Sequence, residues 1–376
     1  MSKRSFRTAL VVVVATFVLA GGVVAYFVHE ALSYPDRRHA GKGVEVEVEI
    51  TPGMSFPQIA SVLEQKGVID RPRWFRIYGM RRGVTTKVRS GRYVLADNWT
   101  PKQVLDRLLQ GVEEKQVQVT LPEGKHMLEY FELLAGKRDD GVHPELQVAS
   151  VAELDALARD PEFLRAHGIE GDTVEGYLYP ETYNFAVPTK PAKVLERMIN
   201  QHRAVWNKLL DQHRTAYRKL RDKLKWSDRE ILTMASIVEK EAIRADEQSR
   251  IAQVFINRLT DPGFKPKLLQ TDPTVRYGCQ VPKIKPPSCA GWSTDDSLHR
   301  AQLDDKDNPY NTYTHEGLPP GPIANPGKGA MAAVLEPDGS NYFYFVAKAD
   351  GSNGHAFARS LAEHRRNVEK YLERTR

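Results

Sequence analysis

The middle of the chain carries apolar positions at helical spacing. Ser227 precedes this run and Glu230 follows three residues later, which is the signature of a capping box at a helix start. We therefore expect a helix over residues 227–242 that is buried along one side. The apolar positions that carry the pattern are Ile231, Met234, Ala235, Val238 and Ala242.

Two carboxylates, Glu239 and Glu241, lie near the end of this predicted helix. The helix dipole favours cations at that end, so the position of two acids there is a first indication that one of them has a chemical role. At 3.6 residues per turn the two side chains point roughly 200° apart, each about 80° from the middle of the apolar stripe. The periodicity does not choose between them, and two solvated glutamates are the simpler interpretation of the pattern alone.

The longest apolar stretch lies near the N-terminus. Residues 8–28 contain no charged side chain and are long enough to cross a bilayer. Lys3, Arg4 and Arg7 precede the stretch, so the positive-inside rule puts the N-terminus in the cytoplasm. A cleaved signal peptide is the alternative, but no small-x-small cleavage site follows the run. We expect an uncleaved anchor in the lipid bilayer, with the rest of the chain outside the cytoplasm.

A small module follows the anchor. Strict alternation of apolar and polar residues over 44–50 predicts a half-buried strand, and residues 91–96 predict another. Two short helical patterns lie between them, and a third begins at Thr100-Pro101. This arrangement resembles LysM modules in layout, which implies cell-wall glycan as a ligand. A docking or spacer module without a ligand is the alternative.

The remainder of the chain alternates helical patterns with a few short strands. A long irregular run, residues 310–327, interrupts it, and such loops in compact domains are usually functional. Asp272-Pro273 is typical of a helix cap followed by proline at the first helical position. The expected fold class is α+β: a single N-terminal transmembrane helix, a small LysM-like α/β module and a mixed α+β domain. The expected divisions are residues 1–7 (cytoplasmic N-terminus), 8–28 (anchor), 29–43 (linker), 44–121 (LysM-like module) and 122–376 (α+β domain).

Composition and charge limit the classes of molecule that the chain can be expected to bind. The chain has 376 residues and a net charge of +6, so outside the membrane it suits anionic lipid headgroups or an acidic polymer. Nucleic acid is excluded as a partner by that location. The two cysteines, Cys279 and Cys289, bracket a loop rich in Pro and Lys and predict one disulfide in an oxidising compartment. No Cys/His cluster accompanies them, so we expect no metal.

Aromatic and acidic residues are concentrated in residues 175–183, which hold three tyrosines and two glutamates. Flat rings cover the apolar faces of sugars, and acids accept hydrogen bonds from sugar hydroxyls. The segment therefore predicts either part of a sugar-binding groove or a packed turn anchored by its tyrosines, and its composition favours neither.

Five segments together resemble one known family, the YceG-like family of endolytic murein transglycosylases. The segments are residues 175–183 (EGYLYPETY), 236–242 (SIVEKEA), 254–259 (VFINRL), 269–278 (LQTDPTVRYG) and 310–327 (YNTYTHEGLPPGPIANPG). The chain end, with Gly354-His355 and Phe357, also matches. In this family the catalytic acid is the second glutamate of the E-K-E triplet. The resemblance therefore implies that Glu241 is catalytic and that Glu239 is structural. The insert bounded by the two cysteines departs from the family's pattern.

The resemblance implies cleavage of the β-1,4 bond between N-acetylmuramic acid and N-acetylglucosamine inside a peptidoglycan strand. No water is consumed and no cofactor is needed, because the muramic C6 hydroxyl attacks its own anomeric carbon and leaves a 1,6-anhydro end. It also implies location in the inner (cytoplasmic) membrane with a periplasmic catalytic domain, and glycan polymerases or penicillin-binding proteins as partners. Motif membership suggests as substrate-binding residues Glu175, Tyr177, Gln270, Thr271, Asp272, Tyr310, Asn311 and Thr312.

Two alternatives stay open from the residues. The first is a lysozyme-like hydrolase in which Glu241 is the acid and Asp272 or Glu175 is the second carboxylate that hydrolases require. The second is a membrane-tethered peptidoglycan-binding scaffold whose glutamates have no catalytic role.

Overall fold

The computed structural model describes residues 3–51, 53–112, 115–187, 189–293 and 297–375. It divides the chain into two compact units, residues 1–114 and 115–376. Each unit has its own hydrophobic core. Helices and short two-stranded sheets occur together in the described residues, so the fold class is α+β.

The first unit begins with a long apolar helix and continues as a small α/β module. Strands β1 and β2 pair antiparallel, with Glu45 opposite Ala96 and Ile50 opposite Gly91. Two helices lie between the strands in sequence and a third follows them. The elements are α1 (Lys3–Ser33), β1 (Glu45–Ile50), α2 (Phe56–Gln65), α3 (Pro72–Arg81), β2 (Gly91–Ala96) and α4 (Pro101–Gln110).

Helix α1 is the one helix among the described residues that is long and apolar enough to cross a membrane, over residues 16–36. Its large apolar side chains, such as Phe17 and Leu19, are exposed. An apolar helix of this length without protein packed around it is what a bilayer would cover.

The second unit is mainly helical. Its strands form three antiparallel pairs: β3 with β6, β4 with β5, and β7 with β8. Its strands are β3 (Lys115–Thr120), β4 (Lys137–Arg138), β5 (Gly141–Val142), β6 (Thr182–Val187), β7 (Tyr344–Ala347) and β8 (His355–Ala358). Its helices are α5 (Met127–Leu134), α6 (Val151–Ala158), α7 (Pro161–Ala166), α8 (Pro191–Gln212), α9 (Arg214–Leu224), α10 (Asp228–Glu241), α11 (Gln248–Thr260), α12 (Asp272–Gln280), α13 (Arg300–Leu303), α14 (Lys328–Leu335) and α15 (Leu361–Thr375).

Helix α10 is the central helix of the second unit. The expected capping box is present. The Glu230 backbone N–H donates to the Ser227 side chain, and the Ser227 backbone N–H donates to the Glu230 carboxylate. Every residue from Ile231 to Val238 is buried, and the helix packs against α11 and α14. The all-round burial exceeds the one-sided stripe that the periodicity predicts, because neighbouring helices cover the small residues of the other face.

Two expectations of detail differ from the structure. Strand β3 lies within the expected 44–121 module, but it pairs with β6 and belongs to the second unit. Asp272 was expected to cap its helix, whereas the cap is Thr271 and Asp272 is the first helical residue. Proline then occupies the second helical position, where its missing N–H costs nothing because early helical N–H groups lack partners in any case.

Candidate functional site

Glu241 is the last residue of α10, and its carboxyl meets the start of α12. The hydroxyl of Thr271 donates a hydrogen bond to Glu241 Oε1. In the described part of the chain no hydrogen bond reaches the other oxygen, Oε2. The carboxyl is thus oriented through one oxygen, while the second stays available to exchange a proton.

The surroundings of Glu241 raise its pKa above the ordinary range for a glutamic acid. Burial is the largest cause, because it penalises the charged form. The hydrogen bond from Thr271 acts in the opposite direction, and the nearby charge of Asp272 raises the pKa further. His355 and Arg258 lower it by weaker charge interactions. The balance favours a carboxyl that carries its proton at a higher pH than an exposed glutamate does.

The loop that follows α13 holds this turn in place. Thr312 accepts two backbone hydrogen bonds from this turn. Its carbonyl accepts from the Gln270 N–H at 3.1 Å, and its hydroxyl accepts from the Thr271 N–H at 3.1 Å. Gln270 has a φ of 54°, so the backbone turns sharply just before Thr271. Tyr313, from the same loop, donates its hydroxyl to Asp272 Oδ1 at 2.7 Å. The loop thereby fixes both residues that adjoin the Glu241 carboxyl.

A buried cation lies on another side of the site. Arg258 of α11 donates from Nε to the Phe343 carbonyl at 2.7 Å and also donates to the Leu269 carbonyl. Its guanidinium lies near the rings of Phe264 and Tyr344. Burial lowers the pKa of Arg258 to about 10, so it remains charged at neutral pH. Motif reading did not identify Arg258, although it lies inside the VFINRL segment.

His355 also lies near Glu241. Its Nδ1 lies 2.7 Å from Glu247 Oε2, and its backbone N–H bonds to both oxygens of the same carboxylate. Both side chains are almost fully buried. The pair joins the segment after α10 to strand β8. Sequence reasoning noted Gly354-His355 as a family match but gave it no role.

Glu239 faces a different part of the fold. Its Oε2 accepts from Gly327 N at 3.1 Å, at the start of α14. Burial and the nearby Glu123 raise its pKa. A Cβ at Gly327 would lie 2.1 Å from Glu123 Oε1, so a larger residue there would displace the Glu123 carboxyl. Glu239 therefore contributes to the packing between α10 and the loop before α14.

Two residues expected to bind substrate have structural surroundings of their own. Glu175 is buried, and it accepts hydrogen bonds from Met127 N at 3.0 and 3.1 Å and from Asn325 Nδ2 at 3.0 Å. Burial raises the pKa of Glu175 to about 8. Tyr177 lines a separate cavity of about 410 Å³ together with His202 and Arg229.

The remaining predicted residues divide between the site and its support. Asn311 is buried and donates to the carbonyls of Gln302, Leu303 and Asp305, so it braces a turn. Tyr310 packs against Tyr277, with ring centroids 4.7 Å apart. The structure thus assembles Glu241, Thr271, Asp272 and Thr312, with Gln270 exposed beside them.

A cavity of about 740 Å³ lies beside the site. Lys240 and Pro273, the neighbours of Glu241 and Asp272, form part of its wall, and the rings of Tyr277 and Trp292 form another part. A disulfide joins Cys279, also in the wall, to Cys289. Within the described ranges, no three or more His, Cys, Asp or Glu residues are grouped as metal ligands.

Glu241 is a half-buried acid with a raised pKa, one hydrogen-bonded oxygen and one oxygen without a hydrogen bond in the described residues, and such an arrangement is suited to proton transfer. The sequence pattern of the YceG-like family matches residues 48–370. The chain belongs to this family.

Known relatives and a solved structure agree with this assignment. The chain is 32% identical to the endolytic murein transglycosylase of Bacillus subtilis, over 87% of this chain and 85% of the relative. It is 27% identical to the enzyme of the same name from Streptococcus pneumoniae, over 94% of this chain but only 63% of that longer relative. A crystal structure of a yceG-like protein from Listeria monocytogenes superimposes with a TM-score of 0.52 at 29% identity, covering 86% of this chain and 99% of that one.

Proposed function

We propose that this protein is an endolytic murein transglycosylase. It cleaves the β-1,4 bond between N-acetylmuramic acid and N-acetylglucosamine inside a glycan strand and leaves a 1,6-anhydro end. The observation that carries the proposal is the Glu241 carboxyl, whose pKa is raised by burial and which is oriented through one oxygen. The names of the relatives from Bacillus and Streptococcus support the same activity.

Glu241 acts first as the acid and then as the base. Its proton moves to the glycosidic oxygen as the bond from that oxygen to the muramic C1 breaks. The C6 hydroxyl oxygen bonds to C1, and its proton returns to Glu241, so no water enters the product. A raised pKa suits the acid step, because a group must hold its proton at working pH to donate it.

The neighbours of Glu241 orient the carboxyl and the sugar. Thr271 holds Oε1, which leaves Oε2 to exchange the proton. Attack by a hydroxyl of the same sugar replaces the second carboxylate of ordinary glycosidases, so orientation of that hydroxyl supplies much of the acceleration. Gln270, Asp272 and Thr312 are the polar residues close enough to take part in holding the sugar.

The glycan strand lies in the cavity beside the site. The half-buried Trp292 in its wall is of a type that suits the apolar face of a sugar ring, whereas Tyr277 is almost fully buried against Tyr310. Glu175, Tyr310 and Asn311 support the walls from behind, since their polar groups or rings already have protein partners.

Helix α1 anchors the enzyme in the cytoplasmic membrane, with its basic N-terminus inside and the second unit on the outer, periplasmic face. Such an enzyme meets newly made strands close to the bilayer. Glycan polymerases and penicillin-binding proteins are therefore its expected partners, by analogy of location. The chain order strand, helix, helix, strand in the first unit supports the LysM-like proposal for residues 44–112.

The test is digestion of purified peptidoglycan by the full-length chain in detergent, followed by mass spectrometry of the new glycan ends. Ends lighter by one water than reducing ends, absent with Glu241→Gln, are the expected result. Reducing ends would instead favour a hydrolase. Asp272 is its candidate second carboxylate, because it lies close enough to Glu241 to raise the pKa of that acid.

A further inference from the structure

Helix α3 of the first unit carries an exposed face that mixes cations with apolar side chains. We call Arg73, Arg76, Ile77 and Met80 the outer face of α3. Ile77 is 40% exposed and Met80 is 60% exposed. In the described part of the chain neither Arg73 nor Arg76 forms an ion pair. A face of this kind is typical of helices that lie in a membrane interface.

Contacts with α1 fix the depth of α3 relative to the membrane-spanning helix. Trp74 packs against Phe27 with ring centroids 6.1 Å apart. Arg71, just before α3, bonds to Glu30 at 2.7 Å, and Arg81, its last residue, donates to the Ala31 carbonyl at 3.0 Å. All three contacts fall at residues 27–31, where the uncharged stretch of residues 8–28 ends, and Trp and Arg are common at bilayer interfaces.

The same contacts fix the direction of α3. The α1 residues from Phe27 to Ala31 cover a rise of only about 6 Å along the helix axis. Helix α3 has ten residues and is about 15 Å long. Both ends of α3 therefore meet α1 at nearly one level. Helix α3 crosses α1 rather than running beside it, and lies roughly in the plane of the bilayer surface.

The buried side of α3 shows which way its outer face points. Phe75 stacks on Phe56 of α2 with ring centroids 5.5 Å apart, and a Cβ at Gly79 would lie 2.4 Å from the Phe56 ring. The module core also contains Tyr34, which follows the end of α1. The core thus lies on the side of α3 away from the membrane. The outer face, on the opposite side of the helix, is directed back toward the bilayer.

We propose that the outer face of α3 is a lipid-binding surface, with Arg73 and Arg76 on anionic headgroups and Ile77 and Met80 among the upper acyl chains. This rests on the proposed anchoring by α1. The partner is the bilayer that α1 spans, since α1 itself brings the face to that surface. The surface would hold the first module flat on the membrane.

The test uses the full-length chain in vesicles of phosphatidylcholine with phosphatidylglycerol. Three single-cysteine variants carry an environment-sensitive fluorophore, and nitroxide lipids serve as quenchers. The native cysteines do not interfere, because both lie in the disulfide. Met80→Cys reports on the outer face, Gln65→Cys is the matched control on α2 behind it, and Val18→Cys reports on insertion of α1. Cleavage of peptidoglycan is measured separately on each preparation.

We expect loss of fluorescence through quenching at positions 18 and 80 and none at position 65. Quenching at 18 without quenching at 80 would overturn the lipid surface while leaving the anchor and the enzyme in place. No quenching at 18 would overturn both the anchor and the surface, and quenching at all three positions would mean unspecific collapse onto the lipid. Arg73→Gln with Arg76→Gln should reduce quenching at 80, as should vesicles of phosphatidylcholine alone. Unchanged quenching in both would refute the role of the arginines.

Discussion

Two acids of the second unit, the half-buried Glu241 and the fully buried Glu175, have pKa values raised mainly by burial, yet their surroundings differ. Both oxygens of Glu175 accept hydrogen bonds, and its partners come from distant parts of the chain. In the described residues Glu241 has one hydrogen bond, from Thr271. A raised pKa alone therefore does not distinguish the two acids. Glu241 differs in having an oxygen that the described residues leave without a hydrogen bond.

The largest expected effect is at Glu241. Glu241→Gln keeps the shape and the acceptor for Thr271 but cannot donate or take the proton. Formation of anhydro ends should fall by about 10²- to 10⁴-fold, the usual contribution of general acid–base catalysis. Thermal unfolding should be unchanged. Glu239→Gln is the control, because glutamine still accepts from Gly327, and a loss of similar size there would contradict the assignment.

The second effect concerns stability at Glu175. Glu175→Leu leaves the Met127 N–H without an acceptor, at a cost of about 1–3 kcal/mol for a buried unpaired donor, and leaves the Asn325 amide with only the Lys125 carbonyl. Thermal or denaturant unfolding measures this loss. Glu175→Gln should retain most of the stability near neutral pH, because glutamine resembles the neutral acid in shape and hydrogen bonding. Glu181→Gln, an exposed change in the same segment, is the control.

A smaller effect is expected at Thr271 and Asp272, the two neighbours of Glu241. Substitutions at these residues should shift the pH profile of activity in opposite directions. Activity should fall as pH rises through the pKa of Glu241, because the acid loses its proton. Thr271→Val removes a bond that stabilises the carboxylate, so the falling limb of kcat/KM should move to higher pH. Asp272→Asn removes a negative charge, so the limb should move to lower pH. Shifts in the same direction would contradict this arrangement.

The last expected effect is the pH dependence of stability at Glu175. Its folded pKa of about 8 lies above its ordinary value of 4.5. The folded state therefore binds the proton more tightly, and this contribution is present at low pH and lost as pH rises from 4.5 through 8. The stability of the wild type relative to Glu175→Gln should decrease over that window. His202, whose pKa is lowered to about 4, acts in the opposite direction below pH 6.5 but cancels in the comparison.

Local sequence signals predicted the elements better than the site. The capping box at Ser227 and the strand predicted over residues 44–50, which the structure has at Glu45–Ile50, both follow from short-range patterns. The choice between Glu239 and Glu241 did not follow, because it depends on Gly327 and Thr271, which come from distant loops. Periodicity describes the face of a helix but not which loop packs there.

Arg258 and His355 were not identified from the sequence for the same reason, because their surroundings depend on residues from distant parts of the chain. Arg258 looks like an ordinary polar position of an amphipathic helix, and its burial depends on carbonyls at Leu269 and Phe343. His355 becomes informative only beside Glu247, 108 positions earlier in the chain. The Glu175 segment illustrates the converse. Its composition suits a sugar groove, but the structure uses the acid to join α5 to the loop before α14.

The pair formed by Glu247 and His355 has a consequence for biogenesis. A ribosome makes the chain from its N-terminus, so strand β8 is among the last segments of residues 1–376 to be made. The surroundings of Glu241 include His355, so they cannot be complete until that strand has been synthesised and has paired with Glu247. A chain truncated before strand β8 would therefore contain Glu241 without its full surroundings.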